Sequence, residues 1–254
     1  MEYAICIVSA APVRKEPSHR SEMTNQLLFG ETMQVLEIKE EWFCIRSLYD
    51  GYEGWLTHHL IKEVGEGVAR SELSFATTGL VNPVVFMGGL INVPMGSSLT
   101  GFNEETGALW DEQHTYKGNY RNINRTANNN LLEKIVQTWL NAPYLWGGRT
   151  FMGVDCSGFC QVIFKMLGIK LKRDAYQQAE EGEKVDNLEA AKKGDLAFFQ
   201  NAEGRVIHVG ILLDKQSIIH ASGKVRIDRI DEKGITNSEN ERRTHFLHSM
   251  KRYF

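Results

Sequence analysis

Tyr144-Leu145-Trp146-Gly147-Gly148-Arg149-Thr150-Phe151-Met152-Gly153-Val154-Asp155-Cys156-Ser157-Gly158-Phe159 is the stretch on which the reading of this chain turns. A glycine-rich loop runs into an acid-cysteine-serine-glycine turn. An apolar helical pattern follows at once, through Phe159, Val162, Ile163, Phe164, Met166 and Leu167, and ends at Gly168. Asp155 suits the N-cap of that helix and Gly168 the position just past its end. Cys156 then sits on the first turn, where unpaired N–H groups and the helix dipole favour an anion. A thiol so placed is expected to lose its proton more easily and to act as a nucleophile. Taken alone, the same cysteine is more often a small buried residue opening a core helix.

Two histidines decide between these readings. Val206-Ile-His208-Val-Gly-Ile-Leu-Leu213 and Ser217-Ile-Ile-His220-Ala221 read as strands joined by a polar turn at Asp214-Lys-Gln216. The two histidines are equidistant from residue 214, so an antiparallel pairing sets them opposite or diagonal on one face, with Cβ atoms about 5 or 7–8 Å apart. Cys156 as nucleophile, His208 as base and His220 as the group that fixes the tautomer of His208 make a complete acyl-transfer set. Backbone N–H groups of the cysteine helix can meet the oxyanion, and the Tyr144 hydroxyl can add to them. Zinc on Cys156, His208 and His220 is the rival. No carboxylate or second thiol stands at ligand spacing, so no metal is expected. His58, His59, His245 and His248 read as surface residues.

The composition narrows the setting. The chain has 254 residues, 29 Lys+Arg against 32 Asp+Glu, and a formal net charge of −3. That balance argues against a nucleic-acid partner or an anionic membrane surface. No run approaches about 18 apolar residues. The opening Met1-Glu-Tyr-Ala-Ile lacks a basic segment and alternates like a strand, so no signal peptide is read and a cytoplasmic location is expected. Cys6 and Cys44 fall in apolar strand-like runs, and Cys156 and Cys160 are one helical turn apart. No disulfide framework is expected, and a reducing compartment is.

Along the chain, residues 1–64 read as short strands. Met33–Ile38 and Trp42–Arg46 alternate, and Asp50-Gly-Tyr52-Glu-Gly-Trp55 is a turn into another strand. Residues 65–122 are again strand-rich, with a turn at Pro94-Met-Gly96-Ser. The Asn- and Arg-rich run 119–130 reads as a linker. It ends in a helix whose Asn130 and Glu133 form a capping-box pair and whose Leu131, Leu132, Ile135, Val136, Trp139 and Leu140 form one apolar face. Helices followed by an antiparallel meander, with Val225–Ile230 as a half-exposed strand, give an α+β class for residues 123–254.

Tyr-x-Trp-Gly-Gly, Asp-Cys-Ser-Gly-Phe, Gly-Asp-Leu at 194–196, His-Val-Gly-Ile at 208–211 and His-Ala-Ser-Gly at 220–223 together resemble NlpC-type cysteine peptidases. The Gly30-Glu31 turn, Trp42 and Asp-Gly-Tyr-x-Gly-Trp resemble a bacterial SH3-like domain, and Val-Pro-Met-Gly-Ser the turn of a second. The chain is thus similar to γ-D-glutamyl-L-diamino acid endopeptidases of murein peptide recycling. The resemblance implies a papain-like domain behind two small SH3-like β-barrels, a Cys156-His208-His220 triad and no cofactor. It implies a substrate beginning L-Ala-γ-D-Glu, cut before Lys or meso-diaminopimelate, and no partner beyond that peptide; a monomer is expected. Substrate contacts carried over are Tyr144, Trp146, Asp155 and Ser157, with Glu22 and Tyr52 near the free amine of L-Ala. Ala175 departs from the pattern, where a serine is common. The rival functions are a hydrolase of intact cell wall, a wall-binding protein without activity, and transfer of the acyl group to another amine.

Overall fold

Short apolar runs interrupted by glycine and proline cannot bury two faces alone, and here they pair into antiparallel sheets. The computed structural model describes residues 1–111, 113–125 and 129–254. They fall into two compact units, Met1–Thr126 with Trp146–Phe151, and Ala127–Leu145 with Met152–Phe254.

The first unit begins with seven strands, β1 (Tyr3–Cys6), β2 (Ala10–Arg14), β3 (Met23–Leu28), β4 (Thr32–Lys39), β5 (Trp42–Ser47), β6 (Glu53–Thr57) and β7 (Ile61–Glu63), in the order β3-β2-β6-β5-β4-β1-β7. Alternation works as the sequence suggests: Ala11, Val13, Leu27, Met33, Ile45 and Leu56 point into one core. Cys6 belongs to that core, whereas Cys44 is only half-buried. After a single turn of helix, α1 (Glu66–Ala69), come β8 (Phe75–Thr77), β9 (Val81–Phe86), β10 (Gly89–Pro94), β11 (His114–Tyr116) and β12 (Tyr120–Asn122). Strands β10-β9-β11 form one sheet and β12-β8 another. Phe29, from the turn after β3, packs with Val84, Val93, Leu99, Leu109 and Tyr116.

The expected linker is shorter than its composition suggests. Tyr120–Asn122 pairs with β8, because the Tyr120 ring packs edge-on against Phe75 and Phe102 at 5.5 and 4.8 Å. Residues 126–128 of that run lie outside the described residues.

The glycine loop packs into this first unit. Gly147 has φ +75°, and a Cβ there would stand 2.5 Å from the Met23 carbonyl oxygen, so only glycine fits. Arg149, which opens β13 (Arg149–Thr150), is fully buried and grips Glu31 in a two-pronged ion pair at 2.7 and 2.9 Å. Its backbone N–H donates to the Gln26 side chain at 2.8 Å, and Glu31 also accepts the Leu28 N–H. Arg149→Met is expected to strand the Glu31 charge and to destabilise the first unit by about 3–5 kcal/mol. Denaturant unfolding of that variant checks this, with a much smaller loss expected when Glu31 is replaced by Met in the same chain.

The second unit opens with α2 (Asn129–Thr138), which already contains Asn130, so Asn130 and Glu133 do not cap it; the position ahead lies outside the described residues. Leu132 and Val136 of α2, with Trp139 just beyond it, are buried, and the Trp139 ring meets Phe159 at 5.8 Å. After β14 (Gly153–Val154) come α3 (Cys156–Met166) and α4 (Ala175–Glu180). Every residue of α3 is buried. Its end is a Schellman turn: Gly168 at φ +80° donates to Lys165 and Ile169 donates to Phe164. Strands β15 (Glu183–Val185), β16 (Leu196–Gln200), β17 (Val206–Leu212), β18 (Ser217–Ser222), β19 (Lys224–Asp231), β20 (Gly234–Thr236) and β21 (Arg243–Arg252) follow. Their order is β15-β21-β16-β17-β18-β19-β20, and β20 also pairs with β21, which closes six of them into a barrel. Phe199, Leu212, Ile218, Ile230, Ile235 and Met250 form its core, and α3 packs against β17 and β18.

Candidate active site

Asp155 caps α3 as its sequence position suggests: its Oδ1 accepts the Gly158 N–H at 2.7 Å. The same carboxylate takes two bonds from Arg173, at 2.6 and 3.0 Å, and Arg173 also donates to the Ser157 hydroxyl at 2.9 Å. Asp155, Ser157 and Arg173 are therefore one buried, charge-paired group around the start of the cysteine helix. Arg173 carries no local signal that could have singled it out; it sits in a loop 18 residues from Asp155.

Cys156 is buried, and its sulfur accepts the backbone N–H groups of Val209 and Ser157. Val209 follows His208 directly in β17, so the helix start lies against the strand that carries the histidine. The expectation of an easily ionised thiol is not met. Burial pushes the Cys156 thiol up to about 12 and the Asp155 carboxylate adds to it, while the two N–H groups and Arg173 pull it down by less. The helix terminus is real, but removing water from the sulfur outweighs it. Tyr144, which bridges to Val154 beside the helix, feels the same surroundings: burial first, then Cys156 and Asp155, raise its hydroxyl.

The histidines come together through sheet register. Gly210 stands opposite His220, so the hairpin is centred at residue 215 and His208 is diagonal to His220. A side chain at Gly210 would lie 2.9 Å from the His220 Cβ, so this glycine leaves the space in which the two rings meet. His208 Nε2 and His220 Nδ1 are 2.8 Å apart, and His220 Nε2 lies 3.0 Å from an oxygen of Asp228.

Asp228, on β19, is the member that the sequence reading missed. Its side chain is 1% exposed. It takes the Ser238 N–H at 2.9 Å and an Arg226 N–H at 3.0 Å. Burial alone would raise this carboxyl; the bonds from His220, Ser238 and Arg226 outweigh it and hold it ionised, well below the usual range. An ionised carboxylate can only accept, so His220 carries a proton on Nε2, and with the ring neutral its Nδ1 presents a lone pair. His208 then donates from Nε2 and keeps its lone pair on Nδ1. Alternation gave no clue: Val225 and Ile227 mark the opposite face of the strand as the apolar one, yet in the fold Ile227 is exposed and Asp228, with Ile230, is buried.

His245, expected at the surface, instead lies under the site: its ring stacks on His208 at 4.1 Å and 24°. Burial and then the neighbouring histidines hold His208 well below its ordinary value, and burial with His220 brings His245 to about 4. Both are neutral in the folded protein near pH 7. Because the unfolded chain protonates them near 6.5 and the folded one does not, stability is full above that pH and is lost as pH falls toward 4. His245 by itself accounts for a loss on the order of 2 kcal/mol between pH 7 and 5. Thermal unfolding at the two pH values checks this, and His245→Phe should flatten the difference.

Of the remaining expected contacts, Glu22, Tyr52 and Trp146 lie in the first unit and Tyr144 in the second. Glu22 is exposed, and its Oε1 accepts the Trp146 indole N–H at 2.7 Å. Tyr52 is half-buried in the turn between β5 and β6, its N–H bonded to Asp50. Tyr144 and Trp146 are exposed.

The helix that Cys156 opens thus packs against the two strands that carry the linked histidines, on an antiparallel barrel. Residues 141–243 match the NlpC/P60 family, and residues 13–60 match the bacterial dipeptidyl-peptidase Sh3 domain. The chain is a peptidase that joins an NlpC/P60 domain of papain-like fold to an N-terminal SH3-like domain. Its relatives are more particular. It is 25% identical over 260 residues to dipeptidyl-peptidase 6 of Lysinibacillus sphaericus, covering 90% of this chain and 92% of that one. It is 28% identical over 228 residues to the gamma-D-glutamyl-L-lysine dipeptidyl-peptidase of Bacillus subtilis (strain 168), covering 77% and 71%. The crystal structure of an NlpC/P60 family protein from Bacillus cereus ATCC 10987 shares the fold, with a TM-score of 0.83 at 22% identity and 99% of each chain covered. No helix among the described residues is long and apolar enough to cross a membrane.

Proposed function

We propose that this chain removes L-Ala-D-Glu from short murein peptides by hydrolysing the γ-D-glutamyl–diamino acid bond. The observation that carries the specificity is the bond from Trp146 to Glu22. It holds an acid of the SH3-like module within the first unit and leaves the second carboxylate oxygen for the ammonium of L-Ala. The family resemblance adds Tyr52, Tyr144, Trp146, Asp155 and Ser157 to the residues that would contact the dipeptide. The strand-rich residues 65–122 make a second SH3-like module in this reading. A free amine held by a carboxylate excludes polymer whose L-Ala is acylated, which suits recycled peptides in the cytoplasm.

In the reaction, His208 Nδ1 takes the Cys156 proton as the sulfur attacks the γ-carbonyl carbon of D-Glu, and an N–H of the first turn of α3 meets the oxyanion. The C–N bond breaks as the imidazolium returns that proton to the leaving amine. Water, deprotonated by His208, then attacks the thioester; L-Ala-D-Glu leaves and the thiol is reformed. The neutral resting thiol fits this sequence, in which the proton moves as the carbonyl is attacked.

The full chain is tested on L-Ala-γ-D-Glu-L-Lys, its meso-diaminopimelate counterpart, and both peptides N-acetylated. Release of L-Ala-D-Glu from the free peptides is expected, with acetylation lowering kcat/KM about 10–100-fold, the span of one charge-assisted hydrogen bond. Glu22→Gln should produce a similar loss on the free peptides and little on the acetylated ones. Absence of dipeptide release overturns the reading. Equal release from intact sacculi would reassign the protein to wall hydrolysis.

A further inference from the structure

His245 takes no part in the reaction just described, yet three strands bring it to the same point as the other two rings. β17 supplies His208, β18 His220 and β21 His245. One nitrogen from each ring falls within a group whose members all lie within 4.8 Å of one another. Two of the three outward nitrogens are already engaged. His220 Nε2 bonds Asp228 at 3.0 Å, and His245 Nδ1 lies 2.8 Å from the Thr244 hydroxyl. Outer partners that fix ring orientation and leave the inner nitrogen for an ion are the usual surroundings of metal-binding histidines. The inner donors are imidazole nitrogens, which suit Zn²⁺, Ni²⁺ or Cu²⁺ and not the oxygen-seeking Ca²⁺ or Mg²⁺. A tetrahedral Zn²⁺ with N ligands at about 2.0–2.1 Å sets them about 3.3 Å apart. The 2.8 Å pair must open by about half an ångström, and His245 must close by up to about 1.5 Å and turn out of its stack on His208, at 24°, so that its in-plane lone pair meets the ion.

We propose that His208, His220 and His245 form a three-histidine site for a borderline divalent cation, Zn²⁺ foremost, and that the bound ion switches the peptidase off. Binding replaces the His208–His220 hydrogen bond. The metal takes the lone pair of His208 Nε2, so the neutral ring must carry its proton on Nδ1. That nitrogen then has no lone pair for the thiol proton, and the nucleophile is never released. No proton is gained or lost overall. The binding half stands on the three rings alone; the inhibitory half rests on the assignment of His208 as base.

The full-length Cys156→Ala variant, which lacks the thiol as a competing ligand, is titrated with Zn²⁺ by calorimetry and with Co²⁺ by visible absorption. One equivalent is expected to bind with Kd about 1 μM or below and to give the spectrum of tetrahedral Co²⁺. Adding His245→Asn or His245→Phe, each confirmed folded by circular dichroism, should weaken binding at least about tenfold. Absence of one-to-one binding in the Cys156→Ala protein overturns the site, and so does affinity unchanged by either His245 variant. In wild type, Zn²⁺ should inhibit peptide hydrolysis over the concentration range in which it binds, with activity restored by EDTA. Binding through the three histidines without inhibition overturns the switch and leaves the site standing. Failure of wild type to cleave any peptide counts against the proposed function, and the metal titration is read independently of it.

Discussion

Cys156→Ala is expected to lower kcat/KM for L-Ala-γ-D-Glu-L-Lys by at least about 10⁴-fold while the protein stays folded. The reason is chemical: alanine offers no nucleophile, and the other groups of the site only position and exchange protons. The structural cost is small, since one buried sulfur is removed from a helix start that Asp155, Arg173 and Ser157 hold together by their own bonds. Dipeptide release by chromatography and unfolding by calorimetry separate the two effects. Cys156→Ser retaining more than a few per cent of activity would count against nucleophilic attack by sulfur. Thiol alkylation needs care as a diagnostic here. With the Cys156 thiol pushed up to about 12 by burial, slow alkylation at neutral pH follows from desolvation and does not by itself mark a dead site. Cys44, half-buried at the barrel wall, is the thiol expected to react first. Alkylation of Cys156 should instead speed up steadily with rising pH.

Asp228→Asn is the second large effect, about 10³-fold in kcat with KM nearly unchanged. Asp228 touches no reacting atom; it positions the base through two rings. The ionised carboxylate admits only one proton arrangement along the relay, ending with a lone pair on His208 Nδ1. An amide can turn its NH₂ toward His220, and then both rings switch tautomer and the base nitrogen is blocked. The same logic underlies the severe cost of losing the carboxylate in Ser-His-Asp enzymes. A merely structural role would lower stability and leave the pH profile of kcat in place; a positioning role shifts the acid limb of that profile. Asp228→Glu should recover part of the rate if its carboxylate reaches His220. Wild-type kcat in a folded Asp228→Asn protein would remove Asp228 from the relay.

Much of the site was legible because its signals are local. Asp155 and Gly168 bracket a helix through caps that depend on neighbours three or four residues away, and both do so here. The approach of His208 and His220 follows from a hairpin, whose register needs only the turn between them; even the one-residue shift of its centre left them diagonal neighbours. The strands of the first unit follow from alternation and turn residues in the same way.

What stayed hidden depends on residues distant in sequence. Asp228 and His245 reach the histidine pair only because β19 and β21 belong to a barrel that closes on itself. Arg149 reaches Glu31 across 118 positions, and nothing beside either residue announces the pair. The protonation of the thiol is the clearest case of division. The sequence by itself put Cys156 at a helix start with its histidine partners, since backbone hydrogen bonding and periodicity are short-range. Only the tertiary structure decided that burial pushes the Cys156 thiol up, that Asp228 bonds the second imidazole and that a third imidazole stacks on the first, because burial and charge act through space rather than along the chain.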